Sequence, residues 1–142
     1  MPTQQDTRAL GVHRFMKAAF KHGAESVTLF RNDLLAVDTG RSGASMFTVR
    51  LRTSSYPDWQ DRLDDLGVGS EVVVLVNVRE PDDFYVIPQP VYEQRMQARY
   101  DAFLDDQPDH QRPRSKDSKH VAARPKVFAD YLNTWSVLSL TR

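Results

Sequence analysis

The run EVVVLVNVR at 71–79 decides most of what this chain can become. It is almost unbroken in apolar character and rich in β-branched valine, which suits a strand covered on both faces in the middle of a sheet. FYVIP at 84–88 follows the REPDD turn as a second strand, with Pro88 ending its ladder. Earlier strand signals are SVTLF at 26–30, DLLAVD at 33–38 after a turn at Arg31 and Asn32, and a third strand opening MFTVRLRTSSYPDWQ. A helix over 7–22, closed by Gly23, supplies one cover: Val12, Phe15, Met16, Ala19 and Phe20 recur at offsets of three and four, and Arg14, Lys17 and Lys21 fall mostly outside that stripe. A second helix over 90–104 buries Tyr92, Met96, Tyr100 and Phe103. The expected fold is α/β, a mixed central sheet of about five strands flanked by helices.

Two stretches fit this frame less directly. SSYPDWQDRLDDLGVGS at 54–70 is polar with an acidic middle and predicts one or two helical turns around Trp59 and Leu63. QPDHQRPRSKDSKHVAARPK at 107–126 has almost no apolar side chains and an excess of lysine and arginine, which predicts a mobile basic loop. Apolar character returns in 127–140, where Phe128, Tyr131, Leu132 and Trp135 can dock on the core. A chain of 142 residues then makes one domain, 1–142, with the loop as an excursion closed by a packed C-terminal segment.

Composition narrows the chemistry. The chain has 19 Lys+Arg against 19 Asp+Glu, so any attraction for nucleic acid must come from local patches. The absence of cysteine removes disulfides, thiolate zinc sites and cysteine nucleophiles. No apolar run reaches the roughly 18 residues of a membrane span, and the polar start MPTQQDTR lacks a signal-peptide core, which predicts a cytoplasmic protein with no membrane partner. The four histidines have no metal-pair spacing, and no GxSxG, Walker or GxGxxG sequence is present. Trp59 and Trp135 offer rings on which bases can stack, although tryptophan at isolated positions is more often a core or rim packing residue.

The RLR triplet inside MFTVRLRTSSYPDWQ is the chemically distinctive feature. Side chains two apart on a strand point the same way, so Arg50 and Arg52 share a face while Phe47, Val49 and Leu51 take the other. Two planar guanidinium forks side by side match phosphate oxygens.

The phrases HGAESVTLFRNDLLAVD, FTVRLRTSSYPDWQ, VVVLVNVREPDDFYVIP and YLNTWSVL, in the order helix, hairpin, strand, central strand, strand and helix, resemble the core of the PD-(D/E)XK nuclease superfamily. The likeness is closest to small bacterial members related to Holliday-junction resolvases and type II restriction enzymes, and it implies a restriction-endonuclease-like fold. In that superfamily a first-helix glutamate, an aspartate at the start of the second strand and a Glu/Gln-x-Lys pair on the third strand gather one or two magnesium ions. Position by position, the resemblance keeps Asp33 and puts Val12, Arg50 and Arg52 at the other three places. At ~4 Å and an effective dielectric of about 20, each unit charge pair is worth roughly 4 kcal/mol, so Arg50 would oppose a divalent ion by about twice that. Arg52 cannot serve as a general base. Asp33 also reads as a turn residue or a partner of either arginine.

The expected function is a catalytically degenerate nuclease-like protein, a pseudoenzyme, that binds nucleic acid, DNA ahead of RNA, through a cleft holding Arg50 and Arg52. Lys17 and the loop cations Arg112, Arg114, Lys116 and Lys119 would add backbone contacts. Two alternatives stay open: a protein-interaction or inhibitor subunit using the same fold, to which neutral net charge and the acidic 58–65 stretch lend weight, and an active magnesium-dependent endonuclease using Asp33 with Asp38 or another carboxylate. No cofactor is expected, with magnesium at Asp33 only in the last case.

Overall fold

The computed structural model describes residues 3–40, 46–105 and 120–140. Arg112, Arg114, Lys116 and Lys119 lie outside the described residues, as does most of the expected basic loop.

The chain begins with helix α1, Gln4–Lys21, three residues earlier than its apolar stripe suggests. The reason is a capping box: Asp6 N–H donates to Thr3 Oγ1 at 3.0 Å, and Thr3 N–H donates to Asp6 Oδ2 at 3.2 Å. Gly23, at φ 108°, ends the helix as expected. Val12, Phe15 and Ala19 are buried and Met16 packs against them, whereas Phe20 is 48% exposed. Phe20 lies about 100° round the helix from Ala19, outside the arc that meets the sheet.

Strands β1 (Ser26–Arg31), β2 (Leu34–Asp38) and β3 (Met46–Ser54) form an antiparallel meander. β5 (Val72–Asn77) runs parallel to β3, and β6 (Phe84–Pro88) returns antiparallel to β5. The five-stranded order is β1-β2-β3-β5-β6, a mixed sheet with helices on both sides. As its sequence requires, β5 is interior: Val72, Val74 and Val76 join the α1-side core, and Val73 and Leu75 face the opposite layer. That second layer is built on helix α2, Gln89–Asp105, through Tyr92, Met96 and Tyr100. Phe103, placed in the same stripe by sequence, is 44% exposed and leans on Tyr100. No helix of the described residues is long and apolar enough to cross a membrane.

The 54–70 segment departs from its sequence reading. Instead of helical turns it contains strand β4, Trp59–Arg62, paired antiparallel with β7, His120–Ala123. WQDR alternates buried and exposed, with Trp59 and Asp61 turned inward, and only a period of two places both on one side. Residues 120–126, expected within the mobile loop, therefore begin a packed region, because Val121 and Ala123 supply the apolar half of the ladder. Two 3₁₀ segments follow, Pro125–Tyr131 and Trp135–Leu138, rather than a regular last helix. They bury Phe128 in the α2 layer and Trp135 and Leu138 in the α1 layer. Asn133 closes the outer side of β6, its N–H donating to the Phe84 carbonyl at 2.6 Å and its Oδ1 accepting the Phe84 N–H at 3.0 Å.

α1 approaches β3 at Gly11. A Cβ there would meet Oγ1, Cγ2 and Cβ of Thr53, the last at 3.0 Å. Glycine normally costs a helix about 1 kcal/mol against alanine, so Gly11→Ala would stabilise an unpacked helix. Here we expect it to destabilise the protein by roughly 1–3 kcal/mol through overpacking. Thr53 Oγ1 is buried with no hydrogen-bond partner, so Thr53→Ala is expected to rescue Gly11→Ala; urea midpoints of the two single variants and the double variant measure this coupling.

Candidate functional site

Asp33 stands in the β1–β2 turn just after Asn32, whose φ is 20°. Its carbonyl accepts the Leu51 N–H at 2.8 Å, which pins the turn against β3. The carboxylate then lies against both arginines. Oδ1 accepts from Arg50 Nη1 at 3.0 Å, and Oδ2 accepts from Arg52 Nη1 at 2.9 Å. The three residues that the sequence singles out therefore converge on the α2-facing side of the sheet.

Arg52 has further partners. Its Nε donates to Asp61 Oδ2 at 3.1 Å and its Nη2 to Asp61 Oδ1 at 3.2 Å, a bidentate fork. Nη2 also reaches the Asp65 carboxylate and carbonyl, each at 3.3 Å. The Tyr92 hydroxyl donates to Asp61 Oδ2 at 2.6 Å, joining α2 to the same network. The side chains are withdrawn from solvent: Arg50 is 14% exposed, Arg52 13%, Asp33 22% and Asp61 5%. Two guanidinium charges meet three carboxylates. Arg50 Nε is buried without a partner.

This packing sets the proton affinities. Burial works against the charged Arg52, but the Asp61 and Asp65 carboxylates outweigh it and hold its pKa above the usual arginine value. Burial pushes the Tyr92 hydroxyl up, and the neighbouring Asp61 charge and hydrogen bond push it further, against a smaller opposing effect of Arg52.

The magnesium implied by the family resemblance does not fit this donor set. Both Asp33 oxygens already accept from guanidinium groups, so a divalent ion would have to displace them and face two fixed positive charges. Asp38 is no second ligand: it lies at the far end of β2, and its Oδ1 accepts the Gly40 N–H at 2.8 Å. Val12 is buried in the α1-side core, on the face of β3 opposite the arginines. An anion at Arg50 or Arg52 would likewise compete with three aspartates. Asp61, Asp65 and Tyr92 escape sequence reasoning because nothing local links them to β3. The readable signal for Asp61 is its place two residues after Trp59 in an alternating WQDR.

Lys17 lies elsewhere, exposed on the flank of α1. With Arg14, Lys21, His22 and Trp135 it lines a recess of about 730 Å³, where Asp82 is the one lining carboxylate among the described residues. Arg14 Nη1 donates to the Val78 carbonyl at 2.5 Å. The His22 ring stacks on Trp135 with centroids 4.5 Å apart. Among the described residues, Lys17 and Lys21 form no ion pair.

Removing Asp61 takes the bidentate partner from Arg52, which keeps Asp33 and Asp65, and leaves the buried Tyr92 hydroxyl without its acceptor, so Asp61→Ala is expected to cost about 2–4 kcal/mol in urea unfolding followed by circular dichroism. Tyr92 gives a test in alkali. Its folded pKa is raised, so above about pH 10 the unfolded chain loses the tyrosine proton while the folded chain keeps it. Stability should then fall by about 1.4 kcal/mol per pH unit from this group alone, and Tyr92→Phe should lose that contribution. Parallel wild-type and Tyr92→Phe slopes would refute the assignment.

No protein-family model, curated protein or solved structure matches this chain.

Proposed function

We propose that this is a non-catalytic protein that binds nucleic acid along the basic flank of α1, with a nuclease-like core whose former cleft is filled by the Asp33–Arg50–Arg52–Asp61 network. The observation carrying this reading is the alignment of Arg14, Lys17 and Lys21 on one side of α1, around a recess where, among the described residues, the two lysines have no ion-pair partners and Asp82 is the single lining carboxylate. Residues three, four and seven apart share a helix face, so these cations present a row to a sugar–phosphate backbone. Such contacts position a backbone and do not select a sequence. Placing the grip on α1 leaves Arg50 and Arg52 to hold β4 against the sheet, and Lys17 keeps the role its sequence position suggested.

A second reading has its own support. β1 is an outer strand of the sheet, and its Leu29 and Phe30 are 45% and 61% exposed. An apolar sheet edge is a place for another chain to pair, which favours a protein-interaction or inhibitor subunit.

The salt dependence of oligonucleotide binding separates the two. Removing one cation that neutralises a phosphate should flatten the slope of log affinity against log salt by roughly 0.7 to 0.9. Lys17→Glu with Lys21→Glu should weaken binding and flatten that slope, while Arg31→Glu, on β1 and outside the recess, should do neither. Wild-type protein without salt-sensitive binding would sink the nucleic-acid reading and leave the protein-partner reading. Magnesium-dependent cleavage abolished by Asp33→Ala would instead restore the endonuclease alternative.

A further inference from the structure

We infer that the bound nucleic acid is single-stranded and that Tyr56 is its stacking platform, an inference that rests on the backbone grip proposed for α1. Tyr56 lies in the turn between β3 and β4. The Ser54 hydroxyl accepts the Tyr56 N–H at 2.9 Å and donates to the Asp58 carbonyl at 2.8 Å. From the neighbouring strand, Asn77 Nδ2 donates to the Tyr56 carbonyl at 2.7 Å. Side chains of β3 and β5 thus hold both backbone polar groups of Tyr56, yet its side chain is turned outward and the residue is 70% exposed. A large aromatic on a pinned backbone loses little conformational freedom when a flat ligand lands on it.

The surroundings select the ligand. Tyr56 lines a groove of about 870 Å³ together with Thr7, Arg8 and His120. Three acidic groups of this groove, Asp33, Asp61 and the more exposed Asp65, are already committed to Arg50 and Arg52. Asp58 lines it without a cationic partner among the described residues. Its charge opposes phosphate at this end and leaves room for an uncharged base. The phosphates belong on α1, where Thr7, Arg14 and Lys21 follow one another at intervals of seven along nearly the same face. Arg14 grips the Val78 carbonyl, and Val78 directly follows the Asn77 that holds Tyr56, so the cationic row and the aromatic are anchored to adjacent residues. A duplex hides its base faces in the stack, whereas a single strand offers them to an aromatic ring while its backbone follows a basic surface. Trp59 and Trp135 are 2% and 3% exposed and are unavailable for that contact.

The test compares two labelled probes in fluorescence anisotropy: a single-stranded oligodeoxynucleotide and an abasic sugar–phosphate oligomer of equal length and charge. Wild-type protein should bind the base-bearing strand roughly 10-fold or more tightly than the abasic one. Tyr56→Ala should erase that difference and Tyr56→Phe should keep it, with both variants melting like wild type. Lys17→Glu with Lys21→Glu should weaken binding of both probes. Equal wild-type affinity for the two probes, or an unchanged preference in Tyr56→Ala, would overturn the stacking inference; salt-sensitive binding that persists in that case leaves the α1 grip standing. Absence of binding to either probe overturns both.

Discussion

A guanidinium withdrawn from water must find carboxylates, and Arg52 dictates much of the architecture through that demand. Its fork needs Asp61, so the chain after β3 has to return along the sheet with Asp61 facing inward. Trp59, two residues before, is carried inward with it and donates its indole N–H to the Val76 carbonyl at 2.9 Å. An inward pair at a spacing of two is a strand, and a strand needs a ladder partner. β7 fills that need, with Trp59 opposite Ala123 and Asp61 opposite Val121. A charge on β3 thus accounts for a small second sheet far along the sequence, and for the ordering of 120–126 where composition alone suggests solvent.

This sequence of constraints explains which parts were legible. The β5 valines, the apolar stripes of both helices and the Arg50–Arg52 spacing are written in local periodicity, and local periodicity survives folding. Asp33 could be connected to the arginines because it leads into β2, which pairs antiparallel with the β3 that carries them. Asp61 and Tyr92 join the same network from β4 and α2, and no pattern within either segment names the other. HVAA is hidden for a different reason: one valine and two alanines in a basic context carry too little hydrophobic signal to outweigh their neighbours. The start of α1 was missed because a Thr-x-x-Asp cap lies outside the apolar stripe that marks the helix.

The two faces of the sheet use their charges in opposite ways. On the α2 side, cations and carboxylates are spent on one another, which fixes geometry and leaves little attraction for a ligand. Along α1, the apolar stripe holds the helix to β3, and the remaining flank carries lysines that no carboxylate of the described residues pairs with. A chain with no net charge can therefore still present a local positive field, provided its acids are gathered elsewhere.

The same division places the two tryptophans of the chain in separate environments. Trp135 is enclosed with Phe15 and Phe84 in the α1 layer, and Trp59 meets Tyr85 on the α2 side. Each half of the interior thus carries its own intrinsic fluorophore. Replacing one at a time turns the protein into a pair of optical reporters, able to tell whether its two layers come apart as a single cooperative unit or one before the other.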